Sequence, residues 1–214
     1  MSTQPQPAPK PPKNRLLQDG RDMLWSLGPL VLACLVLAGL VGMCSFQGRG
    51  PSTGSVPHYD APAALKADAQ TLGFPIRLPA LPAGWQANSG ARDGIEAGRT
   101  NPDGQQVRAK VSTVGYIAPS GKYLSLTQSN ADESKLVAFL HPDLYPSGAQ
   151  DVAGVQWVVY GDSGDDAQGE PVWTTRLGGA DGTQIALTGA GDAADFRTLA
   201  TATQNAAPLP ATRP

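Results

Sequence analysis

From Met23 to Phe46 the chain runs 24 residues without a charged side chain. A helix rises about 1.5 Å per residue, so a helical run of this length exceeds the roughly 30 Å hydrocarbon core of a bilayer. Four basic residues precede the run (Lys10, Lys13, Arg15, Arg21), and Arg49 alone follows closely. Basic residues concentrate on the cytoplasmic flank of a membrane helix, so the expected orientation is N-terminus inside, C-terminal part outside. A cleaved signal peptide is the rival reading. Its apolar core spans about 7–15 residues, shorter than this one, and a polar lead of 22 residues is long for such a peptide. Lipid attachment is a second rival, because both cysteines lie in the run. Met43 before Cys44 is too large for it. Val31-Leu32-Ala33 before Cys34 is tolerable, but more apolar residues follow. The expectation is a retained anchor at the cell membrane with small apolar cysteines as filler.

Cys34, Ala38 and Gly42 recur every fourth position and share one helix face. Small residues there allow close helix approach, which makes this face the expected seam of a weak homodimer.

Residues 1–22 contain Pro5, Pro7, Pro9, Pro11 and Pro12 and no apolar period. Such a segment cannot bury enough surface to fold and reads as a disordered cytoplasmic tail. Residues 47–56 are a Gly/Ser/Pro linker, 57–204 have the size of one domain, and 205–214 read as a flexible tail. Residues 1–49 carry five basic and two acidic residues, a net +3; residues 50–214 carry 11 basic and 16 acidic, a net −5. An acidic outer domain argues against a nucleic-acid partner. It holds no cysteine, so disulfide, thiolate-metal and cysteine-nucleophile chemistry are excluded there.

Along the domain, Leu65, Ala69 and Leu72 form a helical stripe within Tyr59 to Leu72, stopped by Gly73. Phe74 to Trp85 carries Pro75, Pro79 and Pro82, so it is expected to cross the core extended, on Phe74, Leu78, Leu81 and Trp85. Strands are expected at Trp85 to Ala91, Val107 to Ile117, Tyr123 to Ser129, Val155 to Tyr160, Val172 to Leu177 and Thr183 to Thr188. A short helix is expected over Asp132 to Leu140, and a final one after Asp192 with Phe196, Leu199 and Ala200 on its buried face. Consecutive hairpins imply an antiparallel sheet, one face of which the flanking first and last helices can cover, an α+β domain.

Motifs for catalysis are missing from the sequence. His58 and His141 are far apart, without paired metal spacing, and no Gly-x-Ser-x-Gly or nucleotide-binding glycine motif occurs. No catalytic residue, cofactor or metal is expected. A hydrolase built on His141 and nearby acids is the weaker alternative. The stretch Asp162-Ser163-Gly164-Asp165-Asp166 suits a hard cation, but it lacks EF-hand spacing and reads as a solvated loop. Trp85, Trp157 and Trp173 lie on or beside expected strands; they read first as core anchors and second as a ligand face.

These residues resemble a bacterial membrane-anchored family of domains of unknown function, family 4245. The resemblance rests on Arg21-Asp22-Met23, Leu81-Pro82-Ala83-Gly84-Trp85, Gly115-Tyr116, Pro119 and Gly121-Lys122-Tyr123. Leu126-Thr127-Gln128-Ser129, the Trp157/Tyr160 strand and the closing helix extend it over most of residues 15–203. It implies a cell-envelope protein and supplies no catalytic residues. At the level of fold alone, Leu-Pro-x-Gly-Trp before hairpins is similar to periplasmic sensors and lipoprotein carriers. The functional expectation is a non-enzymatic, membrane-anchored extracytoplasmic binding or accessory module. Its expected partners are the bilayer and an envelope protein or lipid; a sensor or lipid carrier is the alternative.

Overall fold

The computed structural model describes residue 25 and residues 27–37, 57–161, 169–179 and 182–211. The chain divides into two units, Met1–Gly54 and Ser55–Pro214. In the first, residue 25 and residues 27–37 are helical. Those eleven contiguous residues rise only about 16 Å, and among the described residues no helix is long and apolar enough to cross a membrane. The rest of Met23 to Phe46, including Ala38 and Gly42, lies outside the described residues, as do the tail before it and the whole linker.

The second unit opens with helix α1 (Ala61–Thr71), followed by β1 (Gln86–Thr100), β2 (Gln106–Ile117) and β3 (Tyr123–Ser129). Helix α2 (Glu133–Leu140) leads to β4 (Tyr145–Val152), β5 (Val155–Gly161), β6 (Val172–Leu177) and β7 (Thr183–Gly189), and helix α3 (Ala193–Asn205) closes the fold. The seven strands form one sheet in the order β1-β2-β3-β7-β6-β5-β4, with every neighbouring pair antiparallel. Two meanders therefore meet at the β3–β7 seam. The α2 connection carries the chain from that seam to the far edge, and the second meander returns to it.

Strand alternation sorts the core. Ile185 and Leu187 of β7 and Trp173 of β6 join the cluster under α1 and α3, with Leu65, Phe196 and Leu199. The intervening Ala186 and Val172 join a second cluster with Leu136 and Val137 of α2. Successive residues of a strand point to opposite faces, so α2 lies on the face opposite α1 and α3. The flanking helices α1 and α3 cover one face as expected, and the helical insert α2, to which the sequence assigned no face, covers the other.

Two strands go beyond the sequence reading. β4 occupies a stretch expected to be a Pro/Gly loop; it is an edge strand, mostly exposed, where Pro146 need not donate to a neighbour. β1 continues past Ala91 to Thr100, across a register irregularity between Ile95 and Arg99 that includes Ala97 at φ 51°. Bulges and charges such as Arg92, Asp93 and Glu96 are common ways to keep an edge from pairing with another chain.

Polar side chains lock the elements. Buried Asp68 of α1 accepts from Ser112 Oγ at 2.5 Å and pairs with Arg92, tying α1 to β1 and β2. Buried Gln128 bonds the backbone of Arg77 twice, accepting from its N–H and donating to its carbonyl, both at 2.8 Å. A side-chain amide here stands in for a neighbouring strand and holds the extended crossing. The far side of that crossing takes up the C-terminal residues: Leu209 N donates to Ile76 O at 2.7 Å, and Arg77 and Pro208 form a β-bridge. Residues 206–209 are thus docked where a flexible tail is expected over 205–214, because the proline-interrupted crossing leaves backbone groups for them to satisfy, and residues 212–214 lie outside the described residues.

The β4–β5 hairpin turns through Ala153 at φ 49° and Gly154 at φ 85°. Two positive φ values are the signature of a type I′ turn, which favours Asn-Gly; Ala at the first position is strained. Replacing Ala153 with Asn is expected to raise stability by about 0.5–1 kcal/mol, read as a higher urea midpoint at constant m-value.

Candidate functional site

The three tryptophans do not form an open face. Trp157 and Trp173 are buried and Trp85 is half-buried, all within the α1/α3 core cluster. Trp157 Nε1 donates to Gln204 Oε1 of α3 at 3.1 Å, and the Trp173 ring lies 5.2 Å from that of Phe196 in a tilted pair. Their large areas and polar handles serve to fix α3 on the sheet. The core-anchor reading therefore suits Trp157 and Trp173, which a ligand could reach only by displacing α3, and Trp85 packs half-buried against the same cluster.

His141 caps the C-terminal end of α2, and its Nε2 lies 3.4 Å from Thr188 Oγ1. That contact joins α2 to β7. Among the described residues no hydrogen bond brings His141 to a serine or a carboxylate, so a nucleophile–base–acid relay is not assembled around it. Tyr160 donates to Glu133 Oε1 at 2.8 Å, and burial followed by that hydrogen bond pushes its phenol up to about 12. Burial, reinforced by the nearby Tyr59, also raises Tyr116, whose hydroxyl has no partner among the described residues. Both phenols stay neutral through the physiological range and hold structure rather than shuttle protons. His58 is an exposed residue ahead of α1. The acidic run Asp162 to Asp166 lies outside the described residues, and among the described ones no group of three or more His, Cys, Asp or Glu could hold a metal ion.

Two concave surfaces stand out among the described residues. The larger is an open groove of about 550 Å³ between the extended crossing, at Leu78, Ala80 and Pro82, and the outer side of α3, at Arg197, Thr201 and Ala202. Its wall is stiffened at the helix start by a capping box. Asp192 Oδ1 accepts from Ala194 N at 2.8 Å and from Asp195 N at 3.0 Å, while Asp195 reaches back to Asp192 N. Asp195 Oδ2 also accepts from Ser120 Oγ at 2.8 Å, which ties the β2–β3 turn to α3. Arg197 Nη2 reaches Gln150 Oε1 of β4 at 2.9 Å. The smaller is a recess of about 230 Å³ at the end of the sheet where α1 stops, lined among others by Arg99, Asn130 and Arg176. Sequence reading missed both. Groove and recess are each assembled from segments distant in the chain, and only the Leu-Pro-x-Gly-Trp stretch carried a local signal.

These features define a small antiparallel α+β domain with helices packed on both sheet faces and structural aromatics. The chain belongs to the family described as Protein of unknown function (DUF4245), whose family model matches residues 15–203. No curated protein and no solved structure matches it.

Two outcomes follow. Trp157→Ala is expected to destabilise the domain by about 3–5 kcal/mol through cavity formation and loss of the Gln204 bond, measured by urea unfolding. A ligand-face residue would instead change stability little. The backbone N–H groups of Asp195 and Ala194 hold the Asp192 carboxylate below its usual range. Its stabilisation of α3 is complete above the unfolded Asp range and fades as pH falls through the depressed folded value. Asp192→Asn keeps a good cap, so it is expected to leave the melting temperature at pH 7 nearly unchanged. It should flatten the fall of that temperature between pH 5 and pH 2, followed by circular dichroism.

Proposed function

We propose that this protein is a membrane-anchored accessory module of the bacterial cell envelope. On this reading, residues 23–46 lie in the bilayer and the α+β domain lies outside it. One observation carries the reading: the described helical residues expose their apolar side chains all round, with Trp25 at 77% and Leu30 at 62%. A helix that is apolar on every side is stable only when something apolar surrounds it, and the charge-free run with its basic N-terminal flank points to lipid.

Binding rather than catalysis suits the domain, because its polar side chains are committed to holding elements together. A lipid-carrier role is less favoured: helices cover both sheet faces, and the tryptophans that would line a carrier cavity are buried. A sensor role rests on the helix face of Cys34, Ala38 and Gly42. Cys34 is exposed, and the other two lie outside the described residues.

In a Cys34→Ser, Cys44→Ser background, the full chain is expected to resist carbonate extraction from membranes. A cysteine introduced at exposed Ser147 should react with a membrane-impermeant maleimide on intact cells. Release by carbonate, or labelling only after lysis, would overturn the anchor or its orientation respectively.

A further inference from the structure

We infer that the recess at the end of the sheet binds a phosphate group, with Arg99, Arg176 and Asn130 as its recognition side chains. All three line the recess, and no acidic residue is among its described lining residues. Arg176 is set in place by the backbone: Nη1 donates to Gly182 O at 3.1 Å and Nη2 to Ala131 O at 2.8 Å. Each of those nitrogens keeps a second hydrogen for a ligand. Arg99 Nε is buried without a hydrogen-bond partner among the described residues. Asn130 Oδ1 accepts from Lys110 N at 2.8 Å, which turns the NH₂ of the amide to donor duty elsewhere.

Among the described residues no ion pair compensates the guanidinium groups of this recess. The two ion pairs among the described residues join Arg92 to Asp68 and Arg108 to Glu96, and neither involves Arg99 or Arg176. Asp132, one residue beyond Ala131, accepts instead from Thr100 N at 3.0 Å and Thr100 Oγ1 at 3.3 Å. Lys110 Nζ is directed at Thr71 O, the end of α1, at 3.4 Å. Two guanidinium groups therefore share one recess with no carboxylate among its described lining residues, inside a region whose net charge is −5. A buried donor left unsatisfied costs about 1–3 kcal/mol, and guanidinium forks match phosphate oxygens in geometry and charge. A volume of about 230 Å³ exceeds what a single water occupies, roughly 30 Å³, and admits a phosphate with a small substituent. The phosphate can be free or part of a lipid headgroup; the chemistry of recognition is the same, and the reading does not depend on the anchor.

The test uses the full chain in a non-ionic detergent, titrated separately with inorganic phosphate and with dihexanoyl phosphatidic acid below its micelle concentration. Sodium chloride at matched ionic strength is the control. At ten times the dissociation constant the melting temperature of the wild type is expected to rise by about 3–6 °C. A rise with inorganic phosphate supports a free anion as ligand; a rise with the lipid alone supports a headgroup. Arg99→Gln should abolish the rise in either arm. Without ligand, its melting temperature should hold or increase, because a like charge has left the recess. Arg176→Lys is the companion variant, since it keeps the charge but not the fork, and should weaken the rise at least tenfold in ligand concentration. No rise in either arm, or a rise that persists in Arg99→Gln, overturns the proposal.

Discussion

The pairing of β3 with β7, from Leu124↔Gly189 to Ser129↔Gln184, is the constraint on which the structure depends. It joins the two meanders, and β7 is buried along its whole length on both faces. Such a strand has no solvent side on which to place an error, because a one-residue slip would exchange its two sets of side chains. Ile185 and Leu187 would leave the α1/α3 core, and polar Gln184 and Thr188 would enter it. The seam is also long-range in sequence, so it forms only after the loop that contains α2, β4, β5 and β6 has closed.

The two faces of the sheet solve burial differently. The α1/α3 face is closed by large apolar and aromatic side chains, with few polar ties such as Asp68 with Ser112. The α2 face buries a band of hydroxyl and amide groups that satisfy one another or the backbone. Gln184 Nε2 donates to Thr174 Oγ1 at 2.7 Å, Thr174 Oγ1 donates to Ile185 O at 2.7 Å, and Thr113 and Thr127 hydroxyls meet at 3.1 Å. Polar groups that are satisfied in this way favour one register over its neighbours. Arg99 Nε departs from this pattern, as do Arg77 Nε and the Tyr116 hydroxyl; among the described residues all three are buried without a partner, and of the three residues only Arg99 lines the recess.

Much of the fold was legible locally. The strands expected at Tyr123 to Ser129 and Val172 to Leu177 matched residue for residue, and Asp192 marked the start of α3, because strand signals and capping are short-range properties. β4 was not legible, since an exposed edge needs no apolar alternation and tolerates Pro146. The side of the sheet taken by α2 was hidden as well. Its Leu136 and Val137 stripe says that one helix face is buried, but not against which face of the sheet.

The sequence by itself determined the charge-free run of Met23 to Phe46, the charge contrast across it, the absence of cysteine beyond it and the types of most elements. These depend only on residue identity and near-neighbour spacing. Only the tertiary structure decided the strand order, the docking of residues 206–209 and the fate of the tryptophans. It alone brought Arg99, Asn130 and Arg176 to one recess. These are meetings of segments far apart in the chain, and they are set by which surfaces must be buried together rather than by any local preference.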